Sequence, residues 1–82
     1  MIIYILTIAD YENYGYGTMN ADVFFTKEEA TEKMREQYLE RCNEWKITEP
    51  YNNSDSWSFT DDYAYISGEF YWDIFTKEIK EG

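Results

Sequence analysis

The chain opens with an apolar run that has almost no polar interruption. Residues 2–8 are mostly β-branched or aromatic. This pattern is typical of a strand covered on both faces, so we place the run centrally in a sheet. Residues 10–20 are rich in Tyr, Gly and Asn and predict a loop. Residues 22–25 then predict a short second strand.

A capping box marks the start of a helix in the next segment. The Thr26 hydroxyl can accept a hydrogen bond from the Glu29 amide, and the Glu29 carboxylate can reach back to Thr26. Nothing breaks a helix before about Lys46, and Pro50 ends the segment because the residue before a proline avoids helical backbone angles. Apolar residues three or four positions apart form one stripe, which we assign to the face packed on the sheet. The stripe consists of Ala30, Met34, Tyr38, Cys42 and Trp45.

Three more strands are predicted after the helix, at residues 57–60, 63–66 and 69–80. The turn signals Asp61-Asp62 and Ser67-Gly68 separate them, which predicts an antiparallel meander. Alternation along the last strand predicts two sets of side chains on opposite faces. One set is Phe70, Trp72 and Ile74, and the other is Tyr71, Phe75 and Ile79. With one helix available, one sheet face lacks an obvious cover. Either its aromatic side chains shelter one another, or that face pairs with another molecule.

These elements predict an α+β fold in a single domain, residues 1–82. The expected order is β-β-α-β-β-β, with one antiparallel-rich sheet of four to five strands and one long helix packed on one face. The composition is consistent with such a fold. An apolar fraction of 44% argues against wholesale disorder, and an aromatic fraction of 21% supplies large buried areas to a small core.

The charge balance restricts the class of partner. Seventeen acidic and seven basic residues give a formal net charge of −10. Nucleic acids and anionic membranes attract positive charge, so we expect neither as a direct partner. A basic protein is the expected partner, and the alternative is acidity that serves solubility alone.

The apolar start has no basic flank and meets Asp10 and Glu12, which is unlike a signal peptide, and we expect a cytoplasmic location.

Residue types that most enzymes use are scarce. The chain has no His, the commonest general base and metal ligand. Cys42 belongs to the apolar stripe and is predicted as a core residue rather than a nucleophile. The carboxylates of Asp61, Asp62, Glu69 and Asp73 lack the spacing of a ligand set, and Asp61-Asp62 is more simply a turn. We therefore expect no enzyme, no cofactor and no metal site.

The outer face of the predicted helix carries a row of glutamates, which we call the acidic ridge. It consists of Glu29, Glu32, Glu36, Glu40 and Glu44. Like charges four residues apart cost about 0.2–0.5 kcal/mol per pair. Lys33 can pair with Glu29 and Arg35 with Glu32, whereas Glu40 has little local relief. A sequence selected for stability alone would alternate the charges on this face, so the uniform row of glutamates is a candidate binding surface. Its axial step of about 6 Å is similar to the phosphate spacing along one nucleic-acid strand. The alternative is a solvated helix face.

A second candidate surface is the predicted loop after the first strand. Tyr alternates there with Gly, Asn and acidic residues, as in adaptable binding loops. Its candidate contact residues are Tyr11, Glu12, Tyr14 and Tyr16. The alternative is a connection whose tyrosines fold back onto the edge of the sheet.

Small size, acidity, aromatic richness, the acidic ridge and the lack of catalytic residues together resemble the small acidic inhibitors encoded by phages and mobile elements. These include anti-restriction and anti-CRISPR proteins, and the resemblance concerns overall character rather than a motif. It implies a non-catalytic nucleic-acid mimic in the cytoplasm of a bacterial host, which blocks a basic, nucleic-acid-processing defence protein. The alternative is a small structural or assembly protein that forms a homodimer through its aromatic sheet face.

Overall fold

A computed structural model shows one five-stranded sheet with a single helix on one face. The structure describes residues 1–11 and 18–80, with side chains except at positions 18 and 19. Its elements in chain order are β1 (Ile2–Asp10), β2 (Thr18–Phe24), α1 (Lys27–Glu44), β3 (Trp57–Phe59), β4 (Tyr63–Ile66) and β5 (Phe70–Glu78). The predicted α+β class and the β-β-α-β-β-β order are confirmed.

The strands lie in the order β2-β1-β5-β4-β3, and every neighbouring pair is antiparallel. The β1 strand lies inside the sheet, as its apolar run predicts. Its Ile8 faces Asn20 of β2 on one side and Trp72 of β5 on the other. The β3-β4-β5 meander is also confirmed. Its second turn contains Gly68 at φ 81°, a left-handed backbone conformation that glycine adopts without steric cost.

The hydrophobic core forms between the helix and the sheet. On the helix, the predicted stripe residues Ala30, Met34, Tyr38 and Cys42 are all buried. On the sheet, Trp72 is completely buried, and its ring meets the Tyr38 ring edge to face with 5.9 Å between centroids. Burying a large apolar side chain contributes about 1.5–3 kcal/mol, so a few such rings stabilise a domain of this size.

The polar atoms of these buried rings all have partners. The Tyr38 hydroxyl donates to the Pro50 carbonyl oxygen at 2.5 Å, and the Trp72 indole N–H donates to Gln37 Oε1 at 3.1 Å. Burial raises the pKa of the Tyr38 hydroxyl and that of the Cys42 thiol, so both stay neutral. In the described part of the chain, no buried side-chain nitrogen or oxygen lacks a hydrogen bond.

The helix is shorter than the sequence predicts. It has 18 residues and ends at Glu44 rather than near Lys46. Its end is a Schellman motif, in which the amides of Lys46 and Ile47 donate to the carbonyls of Asn43 and Cys42 at 3.2 and 2.8 Å. Lys46 takes the left-handed position at φ 58°, so the helix stops well before Pro50. Trp45 is the C-cap residue and is 43% exposed, and its assignment to the buried stripe was wrong.

The second strand is longer than predicted. It spans Thr18–Phe24, so residues 18–20 belong to β2 rather than to the loop. This strand pairs with β1 over seven residues, from Thr18 opposite Asp10 to Phe24 opposite Tyr4. Backbone hydrogen bonding to β1 thus overrides the local loop preference of the polar residue Asn20.

The Schellman motif generates a stability prediction. A residue with a Cβ atom in the left-handed region costs about 1–2 kcal/mol, which glycine avoids. We expect Lys46→Gly to raise the free energy of unfolding by about 1 kcal/mol in chemical denaturation. The matched control is Lys46→Ala, which loses the same charge but keeps the Cβ atom and should change stability little. Equal effects of the two substitutions would contradict the backbone explanation.

Candidate functional site: the acidic ridge and the open face of the sheet

The acidic ridge faces solvent along the whole helix. All five of its glutamates are exposed, while the stripe on the opposite side of the helix is buried. At the N-terminus the capping box is confirmed. The Glu29 amide donates to Thr26 Oγ1 at 3.2 Å, and the Thr26 hydroxyl donates to Glu29 Oε1 at 2.9 Å. Glu29 therefore serves the start of the helix as well as the ridge.

Basic side chains neutralise the ridge more than the sequence predicts. Arg35 pairs with Glu32 as predicted, whereas Lys33 pairs with Glu36 at 3.7 Å instead of with Glu29. Arg41 pairs with Glu44 at 3.0 Å, which the sequence analysis did not anticipate. These pairs are solvent-exposed, so each contributes about 0–1 kcal/mol and can be exchanged for a partner's cation. Glu40 takes part in none of the four ion pairs found among residues 1–11 and 18–80.

The one described residue of the predicted Tyr-rich surface lies on the side of the sheet away from the acidic ridge. Tyr11, the first residue of the predicted Tyr-rich surface, is 42% exposed and packs edge to face on Tyr71 with 5.8 Å between ring centroids. Tyr71 points away from the helix. The structure thus brings Tyr11 to the sheet rather than to the acidic ridge. The other predicted residues of that surface, Glu12, Tyr14 and Tyr16, lie outside the described residues.

The sheet surface opposite the helix is a third candidate, which we call the open face. Strand register and alternation assign its side chains. They are Ile3, Ile5, Thr7 and Ala9 of β1; Ala21 and Val23 of β2; Ser58 of β3; Tyr63 and Tyr65 of β4; and Tyr71, Asp73, Phe75 and Lys77 of β5. Val23 and Phe75 are more than half exposed. Apolar side chains exposed together on one surface are typical of an interaction site.

A row of tyrosines crosses this open face. The rings of Tyr63 and Tyr65 are parallel, with 6.4 Å between centroids, and Tyr65 continues to Tyr71 at 6.3 Å. Two of the hydroxyls are fixed by the backbone. The Tyr65 hydroxyl donates to the Ser54 carbonyl at 3.0 Å, and the Gly68 amide donates to the Tyr71 hydroxyl oxygen at 2.8 Å. The rings are therefore held in place before any partner arrives.

An acidic residue lies beside this tyrosine row. Asp73 is opposite Tyr63 in the β4-β5 register and opposite Thr7 in the β1-β5 register. Partial burial raises the pKa of the Asp73 carboxyl, and none of the four ion pairs of the described residues includes it. Asp73 is exposed and lies on the same face as Tyr63 and Tyr71, so its carboxylate is accessible to a cation of a partner.

An uncovered aromatic face was predicted from the sequence, but its tyrosine row and Asp73 were not, although signals for them were present. Tyr63 and Tyr65 occupy alternate positions in one strand, and Tyr71 and Asp73 do so in the next. Alternation places each pair on one face. The two pairs become neighbours because the strand register sets Tyr65 opposite Tyr71. That register could not be predicted from the sequence.

The remaining acidic side chains and Cys42 are the other groups of the described residues with chemistry to offer. Within residues 1–11 and 18–80, no three acidic or Cys side chains are placed to hold a metal ion. Asp61 and Asp62 lie in the β3-β4 turn and fasten it to the helix. The Thr31 hydroxyl donates to the Asp61 carbonyl at 3.2 Å, and Lys27 pairs with the Asp62 carboxylate at 2.5 Å. Cys42 is buried, as expected for a core residue.

Comparisons with protein-family models, with curated proteins and with solved structures found no match to this chain. The described part of the chain contains no helix that is both long and apolar enough to cross a membrane. The arguments for function therefore rest on the acidic ridge and the open face.

Asp73 generates a pH-dependent prediction. Its pKa is raised in the folded state. Its contribution to stability is therefore full below the pKa of the unfolded chain, about 3.9, and is lost as pH rises through the folded pKa. We expect Asp73→Asn to raise Tm at pH 7, and the gain to vanish below about pH 3, where both states are protonated. Asp55→Asn removes a charge from an exposed loop and controls for net charge. A lower Tm for Asp73→Asn at pH 7 would contradict this account.

Proposed function

We propose that this protein is a non-catalytic binding protein that docks on the basic, nucleic-acid-binding surface of another protein. The observation that carries the proposal is the acidic ridge, exposed along the whole helix of a chain with net charge −10. From Glu29 to Glu44 the ridge extends about 22 Å along the helix axis. A row of carboxylates of that length suits a groove lined with Arg and Lys.

The electrostatics favour a basic partner in two ways. Long-range attraction between the acidic chain and a basic surface speeds association, and like-charged partners are repelled. At close range, the half-buried cations Lys33, Arg35 and Arg41 can release their exposed glutamates to the partner, because such surface ion pairs are weak. In its most specific form the proposal is an inhibitor of a bacterial defence effector, which occupies the groove that otherwise holds nucleic acid.

Charge reversal in the middle of the ridge tests this proposal. We expect the double variant Glu36→Lys and Glu40→Lys to lose the partner. The fold should persist, because each new lysine lies four residues from a glutamate, Glu32 or Glu44, and the pairs become attractive. The measurement is affinity capture from a nuclease-treated bacterial lysate, followed by mass spectrometry and by competition with DNA or RNA.

A matched control separates position from net charge. The double variant Asp55→Lys and Glu78→Lys changes the net charge equally, but both sites are exposed and lie off the ridge. It should retain the partner, with a modest loss of affinity. Capture that survives reversal of the ridge but fails in the control variant would rule out the ridge as the docking surface.

Self-association through the open face is a second candidate function. The observation that favours it is the exposure of Val23 at 57% and of Phe75 at 54% on that face. A structural protein of this kind would sediment as a dimer, and Phe75→Lys would convert it to a monomer. The basic-partner proposal instead expects a monomer that joins a larger basic protein.

A further inference from the structure

Among residues 1–11 and 18–80, the open face combines aromatic rings with one carboxylate and has no cation close to that carboxylate. Lys77 is the one basic side chain assigned to it, and Lys77 is four residues along the strand from Asp73, at a distance of about 13 Å. Directly opposed side chains are much nearer, with Cβ atoms about 5 Å apart, so the Tyr63 ring and the Asp73 carboxylate are within reach of one bound group.

This pairing of groups matches the chemistry of a guanidinium. Arginine presents a flat cation that stacks on aromatic rings, and its N–H groups form charge-assisted hydrogen bonds with carboxylates. The tyrosine row offers the rings, and Asp73 offers the carboxylate. Two of the row's hydroxyls are held by the backbone, so binding costs little rotational freedom there.

We infer that the open face binds an arginine side chain of a basic partner protein, with the guanidinium stacked on the tyrosine row and paired with the Asp73 carboxylate. The inference rests on the proposed function, because it specifies a second contact of the same basic partner. It also gives a role to the exposed acidic residue that lies beside the tyrosine row.

A second copy of the chain does not supply this group. The chain has two arginines, Arg35 and Arg41. Both lie on the helix side, where they pair with Glu32 and Glu44 and stack on Phe59 and Phe70 at 5.4 and 4.8 Å. Two open faces brought together would also place acidic chains of the same net charge in contact, which repels them. The fitting occupant is therefore a different, arginine-bearing protein.

Titration with a defined peptide tests the inference. The probe is a short capped glycine-rich peptide with two arginines, and the matched control peptide carries the neutral isostere citrulline. NMR spectra of protein with labelled tyrosine rings and backbone amides report binding residue by residue. At physiological salt we expect shifts at the rings of Tyr63, Tyr65 and Tyr71 and at the Asp73 amide, and little effect from the citrulline peptide.

Two variants with matched controls locate the contact. A hydrogen bond to a charged group contributes about 1.5–3 kcal/mol, so Asp73→Asn should weaken binding of the arginine peptide about tenfold or more. An exposed cation–π contact is worth about 0.5–1 kcal/mol, so Tyr63→Leu should weaken it about threefold. Asp55→Asn and Tyr51→Leu remove the same groups from exposed sites elsewhere and should leave the affinity within about twofold of wild type. Thermal melting confirms that each variant is folded.

Four results would overturn the inference. Equal binding of the citrulline peptide would exclude a guanidinium site. Shifts confined to the acidic ridge, with the open face unchanged, would place the contact elsewhere and leave the proposed function standing. Open-face shifts that depend on the concentration of the protein alone would show that a second copy occupies the face. Failure of the protein to bind the arginine peptide by any surface, together with failure of the capture experiment, would overturn the proposed function as well.

Discussion

One helix of 18 residues has to cover a sheet of five strands. At 1.5 Å per residue this helix is about 27 Å long, and five strands about 4.8 Å apart make a sheet about 19 Å wide, so the helix covers one face only. The core forms on that face, where Tyr38 and Trp72 meet edge to face. In the part of the chain that the structure describes, no helix lies over the other face. Its tyrosines instead lie against one another, which shelters them in part and leaves Phe75 and Val23 exposed.

The same constraint separates the two surfaces that can meet a partner. The acidic ridge lies on the solvent side of the helix, and the open face lies beyond the sheet. The two surfaces also differ in the distance over which they interact with a partner. Carboxylates along the helix act over about a Debye length and guide association, whereas rings act only in contact. Asp73 combines the two kinds of interaction, since it places a charge directly beside the tyrosine row of the open face.

Local patterns predicted the elements well, because each rests on interactions between residues close in sequence. The Thr26 capping box, the Ala30 to Cys42 stripe and the turn at Gly68 are of this kind. The predictions failed where a contact between residues far apart in sequence, or an unusual backbone angle, determines the structure. Lys46 adopts a left-handed angle that usually marks glycine, so the early end of the helix had no sequence signal. The acidic ridge was predictable from helical spacing alone. The tyrosine row with Asp73 was not, because it depends on strand register.

The central claim is that the helix shelters one face of the sheet and that the open face is available to a partner. The most direct measurement is solvent paramagnetic relaxation enhancement of the aromatic side chains in the isolated protein, recorded over a range of dilutions. The account predicts strong enhancement for Tyr63 and Phe75 and almost none for Tyr38 and Trp72, at every concentration. Protection of Tyr63 and Phe75 that persists on dilution would show that the open face is already covered, and would contradict the account.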